Sequence, residues 1–294
     1  MAVVGVSAER VGLAERHRVV EVLRRLLRQR GAVVGLVVLI LLAIAAVGAP
    51  RLSPRNPIKT APRTALQPPG AGYVLGSDQY GRDVASRVLH GARLSLVVGL
   101  ISVSIAISVG TPIGLVSGFY GGRLDAFLMR VIDVLLAFPG ILLALAIVSV
   151  LTPGLGNVMV AVGLSAVPTY ARLVRGSVLT ARENLYVEAA RAIGARDAGI
   201  LARHILPNVV APLIVTATLG LGTAILAAAA LSFLGLGSQP PTPEWGRMLS
   251  EGRDYLREAW WISTFPGLGI MLTVLAMNLL GDGLRDVLDP RVKV

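Results

Sequence analysis

Long stretches of this chain carry no charged side chain, and their length limits what the chain can fold into. Five windows contain no Asp, Glu, Lys or Arg: residues 31–50, 94–122, 134–171, 204–243 and 259–281. A helix that crosses the ~30 Å hydrocarbon layer of a membrane needs about 20 mainly apolar residues. Because only helices and closed barrels satisfy their backbone groups in lipid, the pattern predicts an all-α polytopic membrane protein.

The third window predicts two spans rather than one. The run TPGLGN at 152–157 interrupts it with proline and glycine, which favour a loop. The apolar piece before this loop covers 126–151, and the shorter piece after it covers about 157–175. The division predicts six transmembrane helices.

The basic residues indicate how these spans are oriented. The sequence has 28 Lys and Arg against 17 Asp and Glu, and the long uncharged windows argue against nucleic acid as the partner. Seven arginines lie within residues 1–30, which favours a cytoplasmic N-terminal segment with an amphipathic helix on the membrane surface. Six spans return the tail, residues 282–294, to the cytoplasm.

The basic residues fit this topology with one departure. Predicted cytoplasmic segments carry 17 Lys and Arg, and predicted external segments carry 10. The first external segment, residues 51–93, holds seven of those ten, which runs against the usual excess of basic residues on the cytoplasmic side. Its first half is rich in proline and is predicted to be an extended connector to the transmembrane core at 94–281.

The sequence offers little for an active site. His17, His90 and His204 are isolated from any acidic cluster with metal-ligand spacing. Neither lysine has the glycine-rich context of a phosphate-binding loop, and the chain has no cysteine. Arg130 and Asp133 lie on one face of a predicted span, where a local pair or snorkelling is one interpretation and a proton relay or substrate contact the other. We expect no catalytic residue, metal or cofactor in this chain.

The polar insert 177–208 between the fourth and fifth spans has the pattern of a helix, a bend and a second helix. Thr180 begins a capping-box spacing and predicts the first helix start. Gly194 predicts the end of that helix, because glycine adopts left-handed backbone angles without strain. The second helix is predicted from about Asp197 to Pro207, where the next span starts.

Small side chains on this insert indicate a docking element. Ala189 and Ala190 would let the helix backbone enter a groove of another protein, while Glu188 and Arg191 would fix its orientation. The alternative is a hairpin that lies on lipid headgroups, which the arginines would favour.

The insert resembles the EAA loop of binding-protein-dependent ABC importer permeases. The matching residues are Glu188, Ala189 and Ala190, then Gly194 after three residues, and Pro207 in a final Leu-Pro pair. Three further blocks, LGSDQYGRDVASRVLHGARLSL (75–96), FLGLGSQPPTPEWGRML (233–249) and NLLGDGLRDVLDPR (278–291), are similar to the second, or C-type, permease subunit of the dipeptide, oligopeptide and nickel transporter class. The resemblance runs from about residue 31 to 291.

The resemblance implies a function and a set of partners. The cytoplasmic EAA loop would be the coupling helix, with Glu188, Ala189, Ala190 and Gly194 seated in a cleft of a cytoplasmic ATPase subunit and Pro207 ending the loop. ATP would be bound by that ATPase rather than by this chain. The implied partners are a second, homologous permease subunit in a heterodimer and an external solute-binding protein, in the cytoplasmic membrane of a bacterium or archaeon.

The external block of the resemblance leaves two roles open. Its residues are Gly76, Asp78, Gly81, Arg82, Asp83 and Arg87. They either order the external segment and cap the second span, or they contact the binding protein or substrate. The residues alone also leave two other classes of protein open, an ion-gradient-driven secondary transporter and an intramembrane enzyme. Nothing in the spans selects among peptides, nickel complexes and other small solutes.

Overall fold

The computed structural model describes residues 21–70 and 72–288, and these ranges are built of helices and irregular connections. The helices are α1 (Arg30–Leu52), α2 (Val84–Tyr120), α3 (Gly122–Leu136), α4 (Gly140–Leu151), α5 (Leu155–Arg182), α6 (Leu185–Ala192), α7 (Asp197–Ile200), α8 (Leu206–Phe233), α9 (Trp245–Gly252) and α10 (Trp261–Leu288). Short 3₁₀ turns occur at Pro62–Thr64 and Arg253–Tyr255. Residues 1–20 of the predicted N-terminal amphipathic segment lie outside the described ranges, and residues 21–26 are helical.

Five helical stretches are long and apolar enough to cross a membrane: α1, α2, α5, α7 with α8, and α10. The predicted span at 126–151 is instead two helices, α3 and α4, which meet at 91°. The break follows from Pro139, which has no amide hydrogen and disfavours helical backbone angles at Phe138. The apolar run is therefore one predicted span made of two helices.

The path of the chain shows that this bent pair makes one crossing. α2 and α5 run parallel, because Ser102 of α2 donates a hydrogen bond to the Met159 carbonyl at 3.0 Å, and further along both helices Gly118 lies against Val178. The chain between them must return from Tyr120 to the level of Ser102. That distance is about 27 Å at 1.5 Å per helical residue, close to the hydrocarbon thickness. With the bent pair counted as one span, the described part of the chain has six candidate crossings.

Glycines spaced by four residues bring α2 and α5 into close contact. A Cβ atom on Gly114 would lie 2.5 Å from the Ala171 carbonyl oxygen, and one on Gly118 would lie 2.8 Å from Cβ of Val178. In lipid, where apolar side chains gain little by leaving the solvent, such small residues allow the backbone approach that holds helices together.

We expect Gly114→Leu to prevent this packing. The leucine side chain would collide with the α5 backbone, so the yield of monodisperse protein in detergent should fall several-fold. Gly140→Ala is the control, because a Cβ atom there would meet no described atom within 4 Å. Gel filtration after membrane extraction measures both variants. A normal elution profile and melting temperature for Gly114→Leu would contradict this account of the contact.

The remaining helices place the two motif blocks at opposite ends of the bundle. α8 packs against both α2 and α5, and α10 packs against α8 and α1. The insert that contains α6 lies at the α2 end marked by Phe119, whose ring stacks under Arg191 at 5.3 Å. The external block lies at the other end, where Arg87 in the first turn of α2 contacts Glu251 of α9.

Candidate coupling site

Helix α6 has one face against its own chain and one face exposed. Val187 and Ala190 are buried in a cluster with Val178, Ile200 and Ile205. The sequence predicted that Ala189 and Ala190 both face a partner, but Ala190 is buried within this chain and only Ala189 is exposed. Ala190 instead holds α6 against the bundle.

The exposed face of α6 combines apolar and charged groups. Leu185 is 82% exposed and Ile193 is 86% exposed, at the two ends of the helix. Glu188 and Ala189 lie between them and are also exposed. Two unburied large aliphatic side chains around a small residue form a surface suited to docking on another protein.

The start of α6 differs from the sequence prediction. The capping-box prediction at Thr180 is wrong, because α5 continues to Arg182 and the Thr180 hydroxyl donates back to the Gly176 carbonyl at 3.2 Å. Asn184 makes the actual break. Its side-chain amide donates to the carbonyls of Thr180 and Ala181, each at 3.0 Å, which satisfies groups at the end of α5.

The end of α6 is as predicted. Gly194 adopts φ +80°, and its amide donates to the Arg191 carbonyl at 2.9 Å. The next amide, that of Ala195, donates back to the Ala190 carbonyl at 3.0 Å. These bonds close the helix end with a left-handed glycine and turn the chain towards α7.

The second helix of the insert continues into the fifth span. α7 passes through a π-helical turn at Leu201–Ile205 directly into α8, and Pro207 lies in the first turn of α8. Proline cannot donate to the Arg203 carbonyl and its ring would crowd that group, so the wider turn accommodates it. Residues from Asp197 to Phe233 therefore form one continuous helix that includes the fifth span.

Side-chain contacts attach α6 to this continuous helix. The Tyr186 hydroxyl accepts a hydrogen bond from the Asn208 side-chain amide at 3.1 Å, and the Tyr186 ring stacks on His204 with 6.4 Å between centroids. Asn208 also donates to the His204 carbonyl at 2.7 Å. A displacement of α6 would thus be transmitted to α8. No local sequence pattern indicates this contact of Tyr186.

Ion pairs between α3 and α5 hold the bent span close to the insert. Arg175 donates from Nε and from its terminal nitrogen to the two Asp125 oxygens, each at 2.6 Å. The local pair of Arg130 and Asp133, one of the interpretations that the sequence left open, does not form. Asp133 instead pairs with Arg172 of α5 at 2.5 Å, and both side chains are about half exposed.

At the opposite end, the external block contains a buried network of charges. Arg82 bonds Asp78 at 2.5 Å and Glu251 at 2.7 Å, and Arg87 lies 3.5 Å from Asp78 and 3.2 Å from Glu251. All four side chains are at most 8% exposed. Two of the seven basic residues that depart from the charge rule are therefore neutralised by buried partners.

The other members of the block order the chain around this network. Asp83 caps α2 by accepting hydrogen bonds from the Ser86 amide at 2.8 Å and its hydroxyl at 2.6 Å. Gly76 and Gly81 have positive φ, and a Cβ atom on Gly81 would lie 1.9 Å from the Ala61 carbonyl oxygen. This geometry favours the ordering role over a contact surface.

A further buried carboxyl begins α9, the helix that carries Glu251. Glu244 accepts hydrogen bonds from the amides of Gly246 at 2.8 Å and Arg247 at 2.9 Å. Burial raises the pKa of the Glu244 carboxyl, and the two amide bonds partly offset this effect. The capped start of α9 sets the position of Glu251.

We expect Glu251→Gln to destabilise the external end of the bundle. The change removes the carboxylate that both Arg82 and Arg87 contact, and breaking a buried ion pair typically costs about 3–5 kcal/mol. The melting temperature of the purified protein should drop clearly. Asp254→Asn, at an exposed pair with Arg253, should leave it unchanged. Equal melting temperatures for Glu251→Gln and the wild type would refute a stabilising network.

Comparison with known families identifies the chain. The model of the family described as "Binding-protein-dependent transport system inner membrane component" matches residues 110–294. The chain belongs to this family. A second model, described as the N-terminal TM domain of oligopeptide transport permease C, matches residues 19–69.

Relatives agree over nearly the whole length. The chain is 48% identical over 273 residues to a dipeptide transport system permease protein DppC of Alkalihalophilus pseudofirmus, covering 93% of this chain and 90% of the relative. It is 49% identical over 272 residues to a glutathione transport system permease protein GsiD of Pectobacterium atrosepticum, covering 92% and 90%. The chain is a permease subunit of an ATP-binding-cassette importer.

A solved structure agrees on the fold. An inward-facing conformation of the MetNI methionine ABC transporter superimposes with a TM-score of 0.56 at 22% identity. The match covers 68% of this chain and 96% of the other. At this identity the likeness concerns the fold alone.

Proposed function

We propose that this permease forms half of a translocation path for peptides and is driven by ATPase subunits that bind α6. The main support for a peptide substrate is the similarity to dipeptide, di/tripeptide and glutathione permeases, at 48–49% identity over at least 90% of the chain. The exposed face of α6 supports the proposal that the ATPase binds at this helix.

The proposed mechanism is mechanical. Closure of the ATPase subunits on ATP would move α6, since Leu185 and Ile193 offer apolar contacts and Glu188 offers a charge. Tyr186 and the continuous helix from Asp197 would carry that movement into α8. Alternation between two arrangements of the spans would then open the path to one side at a time. Ala190 would act by keeping α6 attached to the bundle.

The proposed arrangement of partners follows the same logic. A second, homologous permease subunit would complete the path, and a solute-binding protein would deliver substrate at the end that carries residues 51–83. The α6 end and both termini would then be cytoplasmic, as the arginine-rich first thirty residues favour.

Reconstitution tests the proposed activity. The chain, its partner permease, the ATPase subunits and the binding protein would be placed in proteoliposomes with labelled di- and tripeptides. We expect uptake that requires ATP and continues when ionophores collapse the ion gradients. Uptake driven by an ion gradient without the ATPase subunits would contradict the proposal and support a secondary transporter instead.

A further inference from the structure

Two cavities lie end to end along α5 and α8. The first, about 410 Å³, is bounded by α2, α4, α5 and α8, and the second, about 980 Å³, is bounded by α5, α6, α8 and α10. Thr216 and Leu219 line both. The two cavities therefore form one furrow, which extends along α8 from Ala227 to Asn208.

The length of the furrow matches a membrane crossing. Asn208 and Ala227 are separated by about 28 Å at 1.5 Å per helical residue, close to the ~30 Å hydrocarbon layer. Its wider end is lined by Asn184 and Tyr186, at the start of the coupling helix. The furrow thus runs along the bundle and ends at the site where α6 would be moved.

Four of the hydroxyl groups that line the furrow donate their protons within their own helices. Ser165 donates to the Val162 carbonyl at 2.9 Å, Ser177 to Leu173 at 3.1 Å, Thr180 to Gly176 at 3.2 Å and Thr223 to Gly220 at 2.9 Å. A hydroxyl that donates to its own backbone keeps oxygen lone pairs free to accept. These side chains therefore present acceptors to the furrow.

The two side-chain amides add to the same pattern. The nitrogen of Asn184 donates to the carbonyls of Thr180 and Ala181, and that of Asn208 donates to the His204 carbonyl and the Tyr186 hydroxyl. Because carbonyl oxygens only accept, the nitrogen must face them. The amide oxygens of Asn184 and Asn208 are left as acceptors.

Fixed charge is nearly absent from the furrow. Of the described side chains that line the two cavities, only Arg285 is charged, and it lies at the wider end. The polar wall of the furrow is otherwise neutral and oxygen-rich.

We infer that this furrow is the subunit's half of the translocation path and that it contacts the solute through the solute's N–H donors rather than through its charges. Backbone amides of a peptide are N–H donors of this kind, whatever its side chains. The inference rests on the proposed transport function and adds the residues of the path and the hydrogen-bonding class that they recognise.

Single cysteines test where the path lies, since the natural chain contains none. Thr216→Cys lines both cavities, whereas Thr218→Cys, two residues along α8, lines neither among the described residues. In inside-out vesicles that contain the full complex, a charged, membrane-impermeant methanethiosulfonate reagent should modify Thr216→Cys at least ten-fold faster and block transport. Equal rates, or unimpaired transport after modification of Thr216→Cys, would overturn the assignment.

Peptide N-methylation tests the hydrogen-bonding class. At saturating binding protein, a tripeptide should be transported several-fold faster than its analogue with one amide N–H replaced by N–CH₃. In the double variant Ser177→Ala, Thr180→Val the ratio of the two rates should fall, because two of the acceptors at the wider end are gone. An unchanged ratio would refute recognition by these groups. In both experiments ATP-driven transport by the unlabelled wild type tests the proposed function separately.

Discussion

Ile193→Asp is expected to release the ATPase subunits from the complex while the membrane fold stays intact. Ile193 is 86% exposed, so its replacement removes almost no packing within this chain. In the assembled transporter the introduced aspartate would place a charge in an apolar contact with the ATPase. A central apolar contact is worth about 2 kcal/mol or more in many interfaces, which corresponds to roughly a 30-fold loss of affinity. Co-purification of the ATPase with the tagged permease measures the effect.

A matched exposed residue separates docking from general damage. Leu256 is 53% exposed at the opposite end of the bundle, and Leu256→Asp should leave co-purification unchanged. Normal ATPase recovery with Ile193→Asp would show that the exposed face of α6 is not the docking surface.

Gly194→Val is expected to leave the complex assembled but to abolish stimulation of ATP hydrolysis by substrate-loaded binding protein. The backbone at Gly194 has φ +80°, which a β-branched residue adopts only with strain. A Cβ atom there would meet no described atom within 4 Å, so the strain acts on the backbone rather than on packing. The bend between α6 and α7 should then change, and stimulation should fall at least ten-fold.

Gly199 supplies the control for this variant. It lies in α7, five residues after Gly194, and a Cβ atom on it would also meet no described atom within 4 Å. Because its backbone is helical, Gly199→Ala should keep normal stimulation. Phosphate release from the reconstituted complex measures both variants. Wild-type stimulation in the Gly194→Val variant would show that the bend between α6 and α7 has no role in coupling.

Features that depend on local sequence could be predicted. Uncharged windows located the spans because lipid excludes charge, and Gly194 marked the helix end because only glycine tolerates its backbone angles without strain. The bend at Pro139 was also visible in the sequence. The predicted division of that window rested only on its charge and on the proline and glycine at 152–157, which lie beyond Pro139.

Features that depend on distant residues could not be predicted. Thr180 has the local pattern of a helix start, but burial of Val178 and Ala181 against neighbouring helices keeps α5 intact beyond it. Glu251 lies 164 positions from Arg87, and no local pattern links them. The furrow likewise depends on which faces of α5 and α8 their neighbours leave open.

Side-specific labelling of the α6 surface tests the central claim most directly. Ala192→Cys, exposed on α6, and Tyr80→Cys, half exposed in the external block, would each be the only cysteine of this chain. An impermeant thiol reagent should reach Ala192→Cys only from the cytoplasmic side and only when the ATPase subunits are absent, and should reach Tyr80→Cys only from outside. Labelling of Ala192→Cys from the external side, or equal labelling with and without bound ATPase, would contradict the account.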